Sequence, residues 1–99
     1  MSRYFINALA TQDLNEIADY FTERNIEAGE RFFQKFSRKC KQLVAFPNSG
    51  KRYENIVPGL RGLSIDGYVI FYRLIDKDIE ILRVLNGRRS FPSAFKDEN

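Results

Sequence analysis

The chain of 99 residues contains no histidine, no tryptophan and a single cysteine, Cys40. One cysteine cannot form an internal disulfide, and without histidine there is neither a Cys/His metal site nor a Ser-His or Cys-His nucleophile pair. We therefore expect no metal and no cofactor. Any acid–base chemistry would have to come from carboxylate, lysine, tyrosine or arginine side chains. Cys40 falls on the apolar stripe of a predicted helix, which is typical of an inert buried thiol.

The sequence also lacks a long apolar run near its start. The segment "MSRYFINALATQDL" reaches an acidic residue before any stretch of signal-peptide or membrane-span length. This pattern predicts a cytoplasmic protein without membrane contact. With 43% hydrophobic and 14% aromatic residues, the chain can build a core, and its length fits one domain over residues 1–99.

Charge is distributed unevenly along the chain. Residues 1–30 carry two basic and six acidic side chains, whereas residues 31–61 carry eight basic and one acidic. Such a basic block can bind nucleic acid or an acidic protein partner equally well. The acidic residues of the first predicted helix should lie largely on its outer face; they are Asp13, Glu16, Asp19 and Glu23.

A helix hairpin is predicted after a short strand at residues 2–6. Asn7 and Asn25 are placed to cap its two helices, because an asparagine side chain accepts a bond from an unpaired N–H of the first turn. Pro47 should end the second helix. Apolar residues at three- and four-residue spacing form the buried stripes: Ala10, Leu14, Ile17, Ala18 and Phe21 in the first helix, and Ala28, Phe32, Phe36, Cys40 and Leu43 in the second.

The segments "LRGLSI", "YVIFYRLI" and "IEILRVL" predict three antiparallel strands joined by turns at Asp66-Gly67 and "DKD". The expected fold class is α+β, with an N-terminal strand and a two-helix antiparallel hairpin packed on a mostly antiparallel β-meander. The central strand is apolar on both faces, whereas the helix hairpin can cover only one. The second face should be partly exposed or covered by something else.

Five stretches in this order resemble the ParE/RelE superfamily of bacterial toxins over roughly residues 4–91. They are "DLNEIADYFTERN", "AGERFFQKF", "FPNSGKRY", "GLRGLSIDGYVIFYRL" and "ILRVLNGRRSF". The "P-x-x-G" loop, the "G-L-R" entering the sheet and the closing "R-V-L-H-G-x-R" are similar to the ParE branch. The chain departs from the closing motif at Asn86, where the family often has histidine. Asparagine can still donate and accept hydrogen bonds, so it can have a positioning role but cannot transfer a proton as histidine can.

The resemblance implies the toxin of a type II toxin–antitoxin pair, neutralised by a tightly bound protein antitoxin. ParE-like members inhibit DNA gyrase, whereas RelE-like members cut mRNA in the ribosomal A site. Fold alone does not choose between these mechanisms. A third hypothesis is a nontoxic adaptor or regulator that has kept the fold.

A RelE-like ribonuclease would need a proton acceptor, cations around the phosphate and an acid for the leaving oxygen. The resemblance matches Arg61 and Arg89 to two arginines of that set, with Lys51 and Arg52 as basic groups in the preceding loop. The tyrosine of such relatives falls at or near Phe95, which has no hydroxyl. A guanidinium pKa above ~12 prevents arginine from accepting a proton at neutral pH. The residues thus favour binding over cutting.

Gyrase inhibition requires a binding surface and no catalytic set. Arg61 begins one strand, whereas Arg88 follows a strand parallel to it, so the two should lie at opposite ends of the sheet unless the tail folds back. Arg73 and Arg83 could equally pack along the sheet, paired with a carboxylate such as Asp78 or Glu80. The predicted target-binding set is Arg61, Arg83, Asn86, Arg88 and Arg89.

An antitoxin is also expected from the sheet itself, because a second apolar face and a free edge invite an extended or helical segment. The basic residues of the second helix could seat an acidic antitoxin segment or form a solvated face. Phe91 and Phe95 could pack back on the domain or become ordered with the antitoxin. The predicted antitoxin-binding set is Arg31, Lys35, Arg38, Tyr68, Phe71 and Tyr72. The three aromatic residues of this set could instead belong to the core.

Overall fold

The computed structural model describes residues 2–96, so Met1 and residues 97–99 of the predicted domain lie outside the described residues. The fold confirms the expected α+β class, with two additional short elements, β2 and α3. Its elements are β1 (Tyr4–Ile6), α1 (Ala8–Arg24), α2 (Ile26–Ala45), β2 (Lys51–Arg52), β3 (Arg61–Ile65), β4 (Tyr68–Ile75), β5 (Asp78–Asn86) and α3 (Phe91–Ala94).

Asparagine side chains start both long helices, as predicted. Asn7 Oδ1 accepts from the backbone N–H of Ala10 at 2.9 Å, and Asn25 Oδ1 accepts from that of Ala28 at 3.0 Å. Asn25 also donates its own N–H to the Phe21 carbonyl, 2.7 Å away. A single residue therefore ends α1 and begins α2, which makes the hairpin tight.

The five strands form one sheet in the order β1-β5-β4-β3-β2. β1 pairs with β5 in parallel, and the other neighbours are antiparallel. Asp66 and Gly67 adopt φ angles of 45° and 84°, the left-handed conformations that a tight Asp-Gly hairpin requires. The pairing of β1 with β5 ends at Ile81. Beyond that residue, α1 rather than a strand lies beside the outer edge of β5.

The two long helices cover one face of the sheet and bury the first core cluster. Its fully buried members come from α1, α2 and the three long strands, and Tyr68 and Leu63 pack against it. The stripes predicted for both helices supply most of the helical contribution. The buried members are Ala10, Ile17, Phe32, Phe36, Cys40, Leu43, Ile65, Ile70, Tyr72, Ile79, Ile81 and Val84.

The chain covers the second face of the sheet with its own segments. The Phe71 ring lies 5.1 Å from Tyr53, 4.8 Å from Phe91 and 5.3 Å from Phe95, centroid to centroid. Phe91 and Phe95 therefore pack back on the domain. Of the two expected alternatives, exposure or a cover, the structure shows a cover, which the loop before β3 and α3 supply together.

Asp13 corrects a second expectation, since it is buried with 6% exposure rather than placed on the outer face of α1. It follows Ala10 by three residues and precedes Ile17 by four, which puts it on the buried side of the helix. Arg83 compensates its charge: the guanidinium donates to both carboxylate oxygens, at 2.8 and 2.9 Å. The backbone N–H of Val84 donates to the same carboxylate at 3.0 Å.

A β-bulge directs Arg83 toward this carboxylate. The β4–β5 register runs from Tyr72 opposite Ile81 to Phe71 opposite Arg83, so Leu82 is the extra residue. Arg83 Nη1 also donates to the Ala94 carbonyl at 3.0 Å. One side chain therefore connects α1 on one face, β5 in the sheet and α3 on the other face.

Candidate functional site

The predicted site residues lie at two ends of the sheet. Arg61 is level with Tyr72, whereas Asn86 is level with Tyr68. Those two tyrosines are four residues apart along β4, which corresponds to about 13 Å. We refer to residues 47–52 with Arg61 as the loop end, and to Asp66, Gly67 and residues 86–89 as the turn end. Arg61 and the Arg88–Arg89 pair therefore lie at opposite ends of the sheet, as the strand directions predict. The tail does not fold back to bring them together.

At the loop end, Arg61 binds its own chain. Its Nη1 donates to the Gly50 carbonyl at 2.8 Å and to the Asn48 carbonyl at 3.2 Å. The Tyr72 hydroxyl donates to the Pro47 carbonyl at 2.7 Å and accepts from the N–H of Gly50 at 2.9 Å. These four bonds fix the loop that leads into β2, so Arg61 holds a loop in place.

Burial raises the pKa of the Tyr72 hydroxyl, while its hydrogen bond to Gly50 and the nearby Arg61 charge act in the opposite direction. The hydroxyl is therefore held protonated and already has two backbone partners. It is poorly suited to accept a proton from a substrate. Tyr72 stabilises the loop end in the same way that Arg61 does.

Lys51 and Arg52 are exposed at the loop end. Lys51 Nζ lies 5.4 Å from the centroid of the Tyr53 ring, and Arg52 is in register with Arg61 on the neighbouring strand. Of the four residues proposed for a ribonuclease, these two and Arg61 share one end of the sheet, while Arg89 lies at the other. The structure does not bring the four together.

At the turn end, Asn86 shapes the turn that carries the arginine pair. Its side-chain oxygen accepts from the N–H of Arg88 at 2.9 Å, and its carbonyl accepts from the N–H of Arg89 at 3.0 Å. Gly87 donates to the Gly67 carbonyl at 2.8 Å, which ties this turn to the β3–β4 hairpin. Asn86 thus positions the backbone of its own turn, whereas its contact with a target stays a prediction.

Arg88 and Arg89 are exposed. Within residues 2–96, neither guanidinium has a carboxylate within salt-bridge distance. Arg89 borders a shallow hollow against α1, together with Glu16, Tyr20 and Tyr68. Two cations on a hydrogen-bonded turn, with no carboxylate partner in the described part of the chain, are suited to bind an anionic group of another molecule.

A groove along α2 contains the predicted basic antitoxin residues. Arg31, Lys35 and Arg38 form its rim, because positions i, i+4 and i+7 share one helix face. Its floor includes Phe21 and Phe32. Lys35 Nζ lies 2.8 Å from Asp66 Oδ1, whereas Arg31 and Arg38 are exposed and without an ion-pair partner among residues 2–96.

Three predicted contact residues are not on the surface. Phe71 and Tyr72 have no exposed area, and Arg83 is only 8% exposed. Phe71 lies under α3, Tyr72 lies under the helices and Arg83 is bound to Asp13, so this conformation offers none of them to an antitoxin or a target. Tyr68 remains accessible: it is half-buried, and its ring lies 5.4 Å from that of Phe32.

Sequence reasoning missed Asp13 and Asp66 as partners of predicted site residues. Asp13 carried a detectable signal, since it interrupts the apolar side of α1. Asp66 was identified as a turn residue, and nothing local to the sequence indicates that Lys35 reaches it across the fold.

No cluster of three or more His, Cys, Asp or Glu side chains suited to a metal lies within residues 2–96. No helix within that range is long and apolar enough to cross a membrane.

Comparison with known proteins is consistent across sequence and structure. A family model described as the ParE toxin of the type II toxin–antitoxin system parDE matches residues 4–91. Toxin ParE1 of Mycobacterium tuberculosis is 30% identical over 89 residues, covering 88% of this chain and 91% of the relative. Toxin ParE3 of Caulobacter vibrioides is 29% identical, covering 89% of each.

A solved structure described as the chromosomal ParDE system from P. aeruginosa superimposes with a TM-score of 0.71. It is 27% identical and covers 87% of this chain and 95% of the other. The helix hairpin, the meander and the terminal arginine turn thus occur together in a chain whose relatives are toxins. This protein belongs to the ParE family of toxins of type II toxin–antitoxin systems.

Proposed function

We propose that this toxin inhibits DNA gyrase by binding it, and that the turn end supplies the contact. The observation that carries the proposal is the pair of exposed arginines, Arg88 and Arg89, on a turn whose backbone is hydrogen-bonded to Asn86. Inhibition of gyrase by binding needs a cationic surface in a fixed position, and it needs no proton transfer. Because gyrase acts on intracellular DNA, the proposal places the toxin in the cytoplasm.

Ribosome-dependent mRNA cleavage receives less support from the same geometry. Its candidate groups are split between the loop end and the turn end, and Arg61 is bound to loop carbonyls. Phe95, at the position of the expected tyrosine, is buried with 4% exposure and contacts Phe71. Bringing a cation, a base and an acid to one phosphate would require a different arrangement.

We also propose that a cognate antitoxin neutralises the toxin by binding the groove of α2. The solved relative is described as a ParDE toxin–antitoxin system, which supports a protein partner of this kind. In this chain, the exposed cations Arg31 and Arg38 are available for acidic residues of that partner. Tyr68 offers an adjacent aromatic contact.

The test of the target is supercoiling by purified gyrase, with and without the toxin. We expect loss of supercoiling with accumulation of linear DNA, and at least a ~10-fold higher toxin concentration for the same effect with R88A/R89A. The matched control is K77A/K96A, which also removes two exposed positive charges but lies away from the turn end.

Three outcomes would contradict the proposal. Equal potency of R88A/R89A and wild type would remove the arginine pair from the contact. Normal supercoiling together with mRNA cut in the A site of ribosomes would assign the ribonuclease mechanism. Unimpeded growth after induction of the toxin without its antitoxin would favour the nontoxic adaptor.

A further inference from the structure

A hollow beside Arg89 extends the turn end toward α1. Its buried side is apolar and consists of Ile17, Val84 and Leu85. Its volume is about 210 Å³, whereas pockets that enclose a small organic ligand measure roughly 300–1,000 Å³. The hollow is therefore suited to side chains of a partner protein rather than to a whole small molecule.

Two opposite charges border this hollow without binding each other. Glu16 is exposed on α1, and Arg89 is exposed on the turn. In the described part of the chain, neither side chain takes part in a salt bridge. The second carboxylate of the hollow, Asp13, is already bound to Arg83 and to the N–H of Val84. An anion and a cation of the hollow therefore remain available for another molecule.

Two tyrosine rings also border the hollow. Tyr20 is 47% exposed, and Tyr68 is half-buried. Glu16 and Tyr20 are four residues apart on α1, so they share one helix face. The Tyr20 ring already binds a cation, since the Arg24 guanidinium carbon lies 4.0 Å from the ring centroid. A carboxylate beside tyrosine rings is an environment in which a lysine or arginine can bury its stem and pair its charge.

We infer that the hollow binds a segment of the target protein in which a lysine or arginine neighbours an acidic side chain. The cation of this segment binds Glu16 beside the tyrosine rings, and its carboxylate binds Arg88 and Arg89. This inference rests on the proposed function, and it makes Glu16 a residue that determines specificity. The mixed charge of the hollow selects protein over DNA, because Glu16 repels a uniformly anionic backbone.

The direction of the effect of Glu16 distinguishes this role from that of a bystander. A carboxylate that only lowers the positive potential around Arg89 opposes the binding of an anion, so its removal strengthens target binding. A carboxylate that pairs with a target cation contributes to binding, so its removal weakens target binding. Neutralising Glu16 therefore changes potency in opposite directions under the two interpretations.

The experiment compares the toxin concentration that halves gyrase supercoiling for wild type, Glu16→Gln and Asp19→Asn. We expect Glu16→Gln to require a concentration about 10-fold higher, because the target cation loses its partner. Asp19→Asn is the matched control, since it removes the same charge from an exposed position of α1 that does not border the hollow. It should change the potency less than about 2-fold.

Two further measurements check the interpretation. Glu16→Asp keeps the charge and should be more potent than Glu16→Gln. Thermal unfolding should give the same Tm for wild type and Glu16→Gln, because Glu16 has no salt bridge in the described part of the chain.

Equal potency of Glu16→Gln and wild type would overturn the inference, and higher potency would overturn it in favour of an anion alone, such as a DNA phosphate. Growth arrest after induction without the antitoxin separates the inference from the proposed target. If wild type arrests growth but leaves supercoiling intact, loss of arrest in Glu16→Gln and not in Asp19→Asn supports the mixed-charge contact and shows that gyrase is the wrong target. In that case, full arrest by both variants overturns the contact as well. A wild type that neither arrests growth nor inhibits supercoiling overturns both proposals.

Discussion

At the scale of single residues, Cys40 illustrates how position controls reactivity. Its thiol has no exposed area and lies among the buried residues between the helices and the sheet. Burial raises the pKa of the thiol from 9.0 to about 12, since the thiolate would lose its hydration there. The inert thiol inferred from the apolar stripe is consistent with this burial.

The raised pKa predicts a loss of stability in alkali. Between pH 9 and pH 12, the unfolded thiol ionises while the folded thiol keeps its proton, so the contribution is complete below pH 9 and declines above it. From pH 8 to pH 10, wild type should lose about 1 kcal/mol more free energy of unfolding than Cys40→Ala. Urea unfolding of both proteins at each pH measures this difference. Equal losses of free energy of unfolding in wild type and Cys40→Ala between pH 8 and pH 10 would contradict the prediction.

Individual partners were the least predictable feature of the site. Arg73 binds Glu80 at 2.7 Å, one of the carboxylates anticipated from strand neighbours. Arg83 instead binds Asp13, seventy residues away, because the bulge at Leu82 changes its direction. A bulge adds one residue without a local sequence signal, so alternation along β5 could not indicate where this side chain points.

At the scale of elements, the loop between α2 and β2 is ordered by long-range bonds. Arg61 and Tyr72 each make two hydrogen bonds to backbone groups of residues 47–50. Gly50 is required there, since a Cβ at this position would lie 2.6 Å from the Tyr72 hydroxyl oxygen. The "P-x-x-G" loop therefore has a structural function that is independent of any partner.

Tyr72→Phe should weaken this loop specifically. Removing the hydroxyl leaves the Gly50 N–H and the Pro47 carbonyl without their partner, at a cost of about 1–3 kcal/mol in the free energy of unfolding. Amide exchange of Gly50 should become faster. Tyr53→Phe is the matched control, because no hydrogen bond of the Tyr53 hydroxyl is present within residues 2–96. Equal effects of the two substitutions would refute the assignment.

Elements with local signals were predictable from the sequence. Asn7 and Asn25 cap the helices as expected, and Asp66-Gly67 forms the expected hairpin turn. The two-residue strand β2 and the four-residue helix α3 were not predicted, since each is too short for a periodic pattern and depends on distant contacts. Without α3 in the prediction, a partner contact remained an alternative to the core position of Phe71.

At the scale of the whole molecule, two core clusters lie on opposite faces of one sheet. The Asp13–Arg83 pair connects them, since Arg83 also holds the carbonyl of Ala94 in α3. Its side chains are 7% and 10% exposed, so both charges are withdrawn from water. Removing one partner of such a pair lowers the free energy of unfolding far more than removing one partner of an exposed pair, because the other charge stays buried.

Arg83→Met should lower the free energy of unfolding by about 3–5 kcal/mol, because it leaves the Asp13 carboxylate buried without a counter-charge. Arg73→Met is the comparison: its pair with Glu80 is half-exposed and should contribute less than about 1 kcal/mol. Chemical denaturation of both variants measures the difference. Similar losses would show that the pair does not have this role.

The parallel pairing of β1 with β5 also determines the order in which the molecule can assemble. Tyr4 aligns with Ile79, so closing the sheet joins positions seventy-five residues apart. The β3–β4 and β4–β5 hairpins connect neighbouring segments and can form early, whereas β1 must wait for β5. The turn that carries Arg88 follows the same strand. Its bond from Gly87 to Gly67 joins it to the β3–β4 hairpin. The cationic turn can therefore form together with the two hairpins, and the toxin can acquire its proposed contact surface before β1 completes the sheet.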